Sequence, residues 1–238
     1  MEAFHIRFGA AAGWVALVGV TVLLVIGPMV IAGQPPSSLS SPAEVAAYFG
    51  HGSLAPLYGV VGPLVVLSAI VPFAIGLRAA LRAGAPGGRT AAFADYGVGF
   101  LLVAAALYAV SGSMVAGLVD AAGRDVGAMM TLFRQYDVLY DAAADVLEGA
   151  WIGAFSIAMI GGPMPRWVGW LGVIVAGSRW LKAFAPFVPA LAPLGMPGGL
   201  AFLLWFLATV VALTSVARRL PGRDASAMAG AGVAVGAR

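Results

Sequence analysis

The chain has 238 residues, of which 61% are hydrophobic and only 10% charged, with a formal net charge of +3. A soluble domain of this size carries about 25% charged residues to keep its surface in water, so a lipid bilayer is the natural solvent for this composition. The absence of cysteine excludes disulfides, thiolate metal sites and cysteine nucleophiles, and two histidines, His5 and His51, leave little for a histidine-rich metal centre.

Apolar segments run over 8–33, 54–82, 91–119, 127–160, 166–185 and 198–217. A helix needs about 20 residues to cross the hydrocarbon. The spacing therefore predicts an all-α bundle of six transmembrane helices, of which the fifth is barely long enough. The first segment is too long for a signal-peptide core and has no small-x-small cleavage site after it, so it reads as a retained helix. Residues 1–220 form a single domain in this reading, and 221–238 a flexible, small and polar tail. No internal repeat is visible.

The outer loop after the first segment contains Ser41-Pro42-Ala43-Glu44, a capping box with proline at the first helical position. It predicts a short interfacial helix through about Tyr48. The connection over 184–199 carries Pro186, Pro189, Pro193 and Pro197, which stiffen the chain against a regular helix.

With six alternating helices, Arg7, Arg78, Arg82, Arg89, Arg166, Arg218, Arg219, Arg223 and Arg238 fall on one side. Arginine accumulates on the cytoplasmic side of membrane proteins, so both termini are expected there. One lysine beside twelve arginines, with abundant alanine and glycine, fits a GC-rich bacterial genome and an inner-membrane location. The basic residues sit at the ends of apolar runs, not in a patch with interleaved aromatics, so nucleic acid is not an expected partner. The expected partners are the bilayer and a lipophilic small molecule.

The fourth segment carries the informative pattern. At about 100° per residue, Arg134, Asp137, Asp141, Asp145 and Glu148 fall within an arc of roughly 80° on one helix face. A charge at membrane depth costs at least about 2.5–3.5 kcal/mol, so these groups must face the bundle interior, a wet cavity or partners. Carboxylates one turn apart repel, which favours a proton held among them, and such a proton serves acid–base chemistry. Arg179 and Lys182, spaced i, i+3 with Ser178 beside them, are the expected partners on the fifth helix. The rise per residue matches them in depth to Arg134, Asp137 and Asp141, with Asp145 and Glu148 deeper. Tyr108, Ser111 and Ser113 of the third helix and Tyr58 of the second are expected to line the same cavity. Four acids face three bases, Arg134, Arg179 and Lys182.

These residues give a candidate site. Asp137, Asp141, Asp145 and Glu148 are the candidate catalytic acids. Arg134, Tyr140, Trp151, Arg179, Lys182 and Tyr108 are candidate substrate contacts. Below Glu148, the residues Trp151, Ile152, Phe155 and Met159 read as an apolar floor. A plain inter-helix salt-bridge network is the alternative for the ions, and ordinary packing for the aromatics Tyr136, Tyr140, Trp151 and Trp180. Gly149-Ala150-Trp151-Ile152-Gly153 fits a small-xxx-small helix contact. His51 reads as a solvated loop residue, and Asp95 as a carboxylate near a helix N-terminus.

Two resemblances follow from particular residues. The Asp137, Asp141, Asp145 spacing resembles the aspartate-rich helices of intramembrane prenyltransferases, which implies Mg²⁺ on those three carboxylates and a diphosphate substrate. The stretch from Gly161 to Gly172, with Pro165-Arg166-Trp167-Val168-Gly169-Trp170 at its centre, resembles the connection in a family of uncharacterised six-helix actinobacterial membrane proteins. That resemblance implies the fold and no activity. Phosphate loops, nucleophile elbows and His-Glu-x-x-His are missing from the sequence. The functional expectation is a cofactor-independent membrane enzyme that isomerises or cyclises an isoprenoid- or polyketide-like molecule. A proton- or cation-coupled transporter and a non-catalytic partner or sensor are the alternatives.

Overall fold

The computed structural model describes residues 1–22, 26–27, 36–37, 39–50, 55–85, 87–185 and 187–220, and of 55–63, 141, 189, 192–193 and 195–196 the backbone alone. Among the described residues every regular element is helical. In chain order they are α1 (Glu2–Thr21), α2 (Pro42–Phe49), α3 (Ala55–Gly84), α4 (Gly88–Ala122), α5 (Val126–Asp137), a π-helical turn (Val138–Ala143), α6 (Ala144–Ile160), α7 (Arg166–Ala183), a 3-10 turn (Pro189–Leu194) and α8 (Gly195–Arg219). His51, Arg223, Arg238 and the tail 221–238 lie outside the described residues, as do Pro186 and the side chain of Tyr58.

Five of the described helical stretches are long and apolar enough to cross a membrane: Glu2–Thr21, Leu64–Gly84, Gly88–Ala122, Val126–Ile160 and Pro197–Arg219. The expected fifth span, α7, forms where predicted but is not among them. It has only 18 residues, and three of them are the bases Arg166, Arg179 and Lys182. The first helix begins at Glu2, earlier than the apolar run, and its regular α part ends at Thr21.

The long helices close a ring in contact order: α1 on α3, α3 on α4, α4 on α6, α6 on α7, α7 on α8, and α8 back on α1. Glycine sets the closest approaches. A Cβ on Gly9 would lie 2.5 Å from the Gly76 Cα, so α1 and α3 touch backbone to backbone. One end of the ring gathers the arginines. Arg7 donates to the Leu220 carbonyl at 3.1 Å, Gly84 packs under Pro163, and Asp95 on α4 accepts from Arg78 at 2.6 Å and Arg82 at 3.1 Å on α3. Asp95 thus stands in an ion triad between two helices. It lies beyond the first turn of α4, where a helix dipole fades.

The opposite end is closed by α2, the end of α4 and α5. Their buried Val45, Phe49, Val115, Leu118, Met129 and Phe133 form a small core, separate from the main one that fills the ring. The capping box forms as the sequence specifies: Ser41 N–H donates to Glu44 at 2.6 Å, and Glu44 N–H donates to the Ser41 hydroxyl at 3.3 Å.

The bond from the Ser41 backbone N–H holds the Glu44 carboxyl below its ordinary value of 4.5. A depressed carboxyl pKa stabilises the fold above the unfolded value and loses that contribution as pH falls through the folded one. Amide protection of 42–49, corrected for intrinsic exchange, is therefore expected to drop between pH 6 and pH 3 in the native protein. In Glu44→Ala it should be lower already at pH 6 and change less with acid.

Candidate functional site

Between the two apolar cores lies one polar layer. Along α4 the main core ends at Ala104, Tyr108 follows, and the small core resumes at Val115. Along the α5–α6 rod, Phe133 belongs to the small core and Trp151 to the main one, with the acids between. On α7 the main core reaches Ala176, and Arg179 and Lys182 come next.

The layer is a linked ion cluster. Lys182 Nζ lies 2.7 Å from Asp145 Oδ2, and Arg179 Nη1 lies 3.4 Å from Asp145 Oδ1. Arg179 Nε lies 3.2 Å from Glu148 Oε2, a contact whose angle is too poor for a hydrogen bond. The Tyr108 hydroxyl donates to Glu148 Oε1 at 2.7 Å. The Arg179 guanidinium also sits 5.2 Å from the centre of the Phe202 ring, a cation–π distance. The side chains of Asp145 and Arg179 are only 3% and 9% exposed. A buried ion of either sign is tolerated only when paired, so each of these groups depends on the others.

The backbone explains why α7 comes close enough. A Cβ on Gly149 would fall 2.5 Å from Trp180 Nε1 and 3.0 Å from the Ala176 carbonyl. In the space this leaves, the Trp180 indole N–H donates to the Val146 carbonyl at 3.1 Å. Gly169 and Gly172 do the same lower down, against Ile160 and Ser156. The small-residue pattern on α6 is therefore the seat of α7, and it brings Arg179 within reach of Asp145.

Above the cluster the rod is not a straight α-helix. Over Val138–Ala143 the backbone is π-helical, and the Ala144 N–H reaches back five residues to the Leu139 carbonyl. Such a wider turn offsets the residues before it from those after it, and π turns recur at functional sites. The acids expected as one continuous stripe are accordingly divided. Asp145 and Glu148 enter the ion cluster. Asp137, buried at 6% exposure, and Arg134 line a separate cavity of about 470 Å³ with Ser40, Pro42, Met130, Phe133, Val138 and Phe187. The Asp141 backbone lies in the π turn, and its side chain is outside the described residues.

No family model, curated protein or solved structure matches the chain. The site is therefore read from its own geometry. Tyr108, Asp145, Glu148, Arg179 and Lys182 come together. The bases meet Asp145 and Glu148, which lie one to two turns beyond Asp141, the deepest of the three residues (Arg134, Asp137 and Asp141) that the depth count matched to them. Tyr140 stacks on Tyr136 at 5.3 Å and meets Tyr108 edge-on at 5.2 Å. Tyr136 in turn touches Phe49 of α2, so an aromatic column joins the end cap to the cluster. Trp151 is not at the site: it packs in the main core against Phe155, Phe202 and Trp205. The hydroxyls of Ser111, Ser113 and Ser178 donate to carbonyls of their own helices.

Among the described side chains no three metal-binding groups converge. Asp145 already faces two cations, which disfavours a Mg²⁺ shared with Asp137. Phe202 is the residue that sequence reasoning missed. It lies far along the chain, and no spacing rule links it to Arg179.

Removing Arg179 leaves Asp145 and Glu148 short of their buried partner. Arg179→Leu is expected to cost about 3–5 kcal/mol of unfolding free energy in detergent titrations. Gly149→Val, which wedges α6 from α7, should cost about 1–3 kcal/mol.

Proposed function

We propose that the chain is an integral membrane enzyme that moves protons on a lipophilic small molecule held in the Asp137 cavity. In this reading it spans a bacterial inner membrane six times, with α7 as the fifth span and both termini in the cytoplasm. The ring of six helices and the gathering of arginines at one end support that topology.

One observation carries the proposal. At the π turn a buried carboxyl group, Asp137, and a guanidinium, Arg134, line a cavity whose other walls are largely apolar. Such a cavity fits a molecule with an apolar body and one polar group. Asp137 would hand its proton to an alkene or epoxide of an isoprenoid- or polyketide-like substrate. The new C–H or O–H bond leaves a carbocation beside Phe133 and Met130 of the cavity wall. Loss of a proton from a neighbouring carbon back to the carboxylate completes an isomerisation or cyclisation, with no net oxidation. Arg134 would hold the polar group.

Asp145 and Glu148 take a different role from the one their spacing suggests. Both sit in the ion cluster with Arg179 and Lys182, outside the cavity lining, and in this reading they hold α6 and α7 together as positioning residues. The transporter alternative needs a polar path onward to the arginine-rich end. Below Glu148 the rod buries Trp151, Ile152, Phe155 and Met159 in the main core, which favours a one-sided pocket.

The test is mass spectrometry, with chromatographic separation of isomers, on compounds that co-purify in mild detergent. Native protein should carry a discrete lipophilic compound. Asp137→Asn should carry its unconverted isomer, and turnover of the recovered compound should fall by about 10²–10⁴-fold. Equal turnover by Asp137→Asn would sink the proposal. Bulk phospholipid alone in both samples would favour the transporter, to be followed by proton flux in proteoliposomes.

A further inference from the structure

We propose that a second groove, between α1 and α8 at the arginine-rich end, is a binding site for an anionic phospholipid. The proposal is independent of the Asp137 cavity. The groove has a volume of about 400 Å³ and is lined by Arg7, Ala10, Ala11, Trp14, Thr214, Ala217 and Arg218.

The sequence builds it simply. On α1, residues 7, 11 and 14 share a face at i, i+4, i+7, and on α8, residues 214, 217 and 218 share a face at i, i+3, i+4. Alanine at 10, 11 and 217 leaves the floor unfilled where larger side chains would close it. The Trp14 indole N–H donates to the Thr214 hydroxyl at 3.2 Å, which holds the ring in place as an apolar wall. At the other end stand two guanidiniums. Arg7 is tied to the Leu220 carbonyl at 3.1 Å, which anchors its guanidinium among the residues that line the groove.

The arrangement is amphipathic in one direction: positive charge at the end of the helices, then an alanine floor beside a tryptophan. A phosphate would sit on Arg7 and Arg218, and an acyl chain would run along Ala10, Ala11, Ala217 and the Trp14 ring. Basic pockets between membrane helices recognise anionic headgroups in this way, and guanidinium pairs suit phosphate geometry. The positive N-terminal end of α1 adds to the attraction, and the negative C-terminal end of α8 offsets it. A free phosphate shares the charge but leaves the apolar floor unused.

The experiment is native mass spectrometry of the full chain, with phosphatidylglycerol and phosphatidylcholine added at equal concentration. Phosphatidylglycerol should bind preferentially. Arg218→Gln should weaken it about fivefold. Ala11→Phe, an outward-facing position that fills the groove, should abolish the preference while helical content by circular dichroism stays native. Equal binding of the two lipids, or undiminished phosphatidylglycerol binding in both variants, would overturn the proposal. Displacement of phosphatidylglycerol by millimolar inorganic phosphate would also overturn it, since the site would then be one for a soluble anion.

Discussion

The contact of Arg179 with Asp145 and Glu148 is the constraint around which the rest is arranged. A guanidinium at 9% exposure in so apolar a chain is stable only with carboxylates against it. Two carboxylates on α6 are stable there only with bases against them. Neither helix can shed its charges into lipid, so α6 and α7 must meet at this level. The glycines at 149, 169 and 172 let them meet at backbone distance. The short α7, too basic to stand alone as an apolar span, is held by this pairing.

From that pairing follows a division of labour along the α5–α6 rod. The residues after the π turn are committed to the ion cluster, and those before it border the cavity at the capped end. The π turn separates the two groups by offsetting their faces. The aromatic column from Phe49 through Tyr136 and Tyr140 to Tyr108 links α2 to the Glu148 carboxylate.

Much of this was legible in the chain. The helical segments follow apolar length, and Ser41 and Glu44 announce α2 because a capping box is local chemistry. Arg179 and Lys182 could be matched to the acids of α6 by sign and spacing. The pairing level was not legible, because helix depth is counted from loop ends whose lengths are uncertain by a turn. The π turn left no signal, since Val138-Leu139-Tyr140-Asp141-Ala142-Ala143 contains neither proline nor glycine. Asp95 was misread because Arg78 and Arg82 reach it from another helix. The Phe202 contact and the α1–α8 groove depend on tertiary neighbours more than 20 residues apart in sequence, beyond the reach of periodicity.

The most direct test of this division is labelling of the native protein with dicyclohexylcarbodiimide, which modifies carboxyl groups able to carry a proton in apolar surroundings, followed by peptide mass mapping. The account predicts an adduct on Asp137 ahead of Asp145 and Glu148. Labelling of Asp145 or Glu148 first would show that the ion cluster, and not the cavity above it, holds the mobile proton, and would contradict the account.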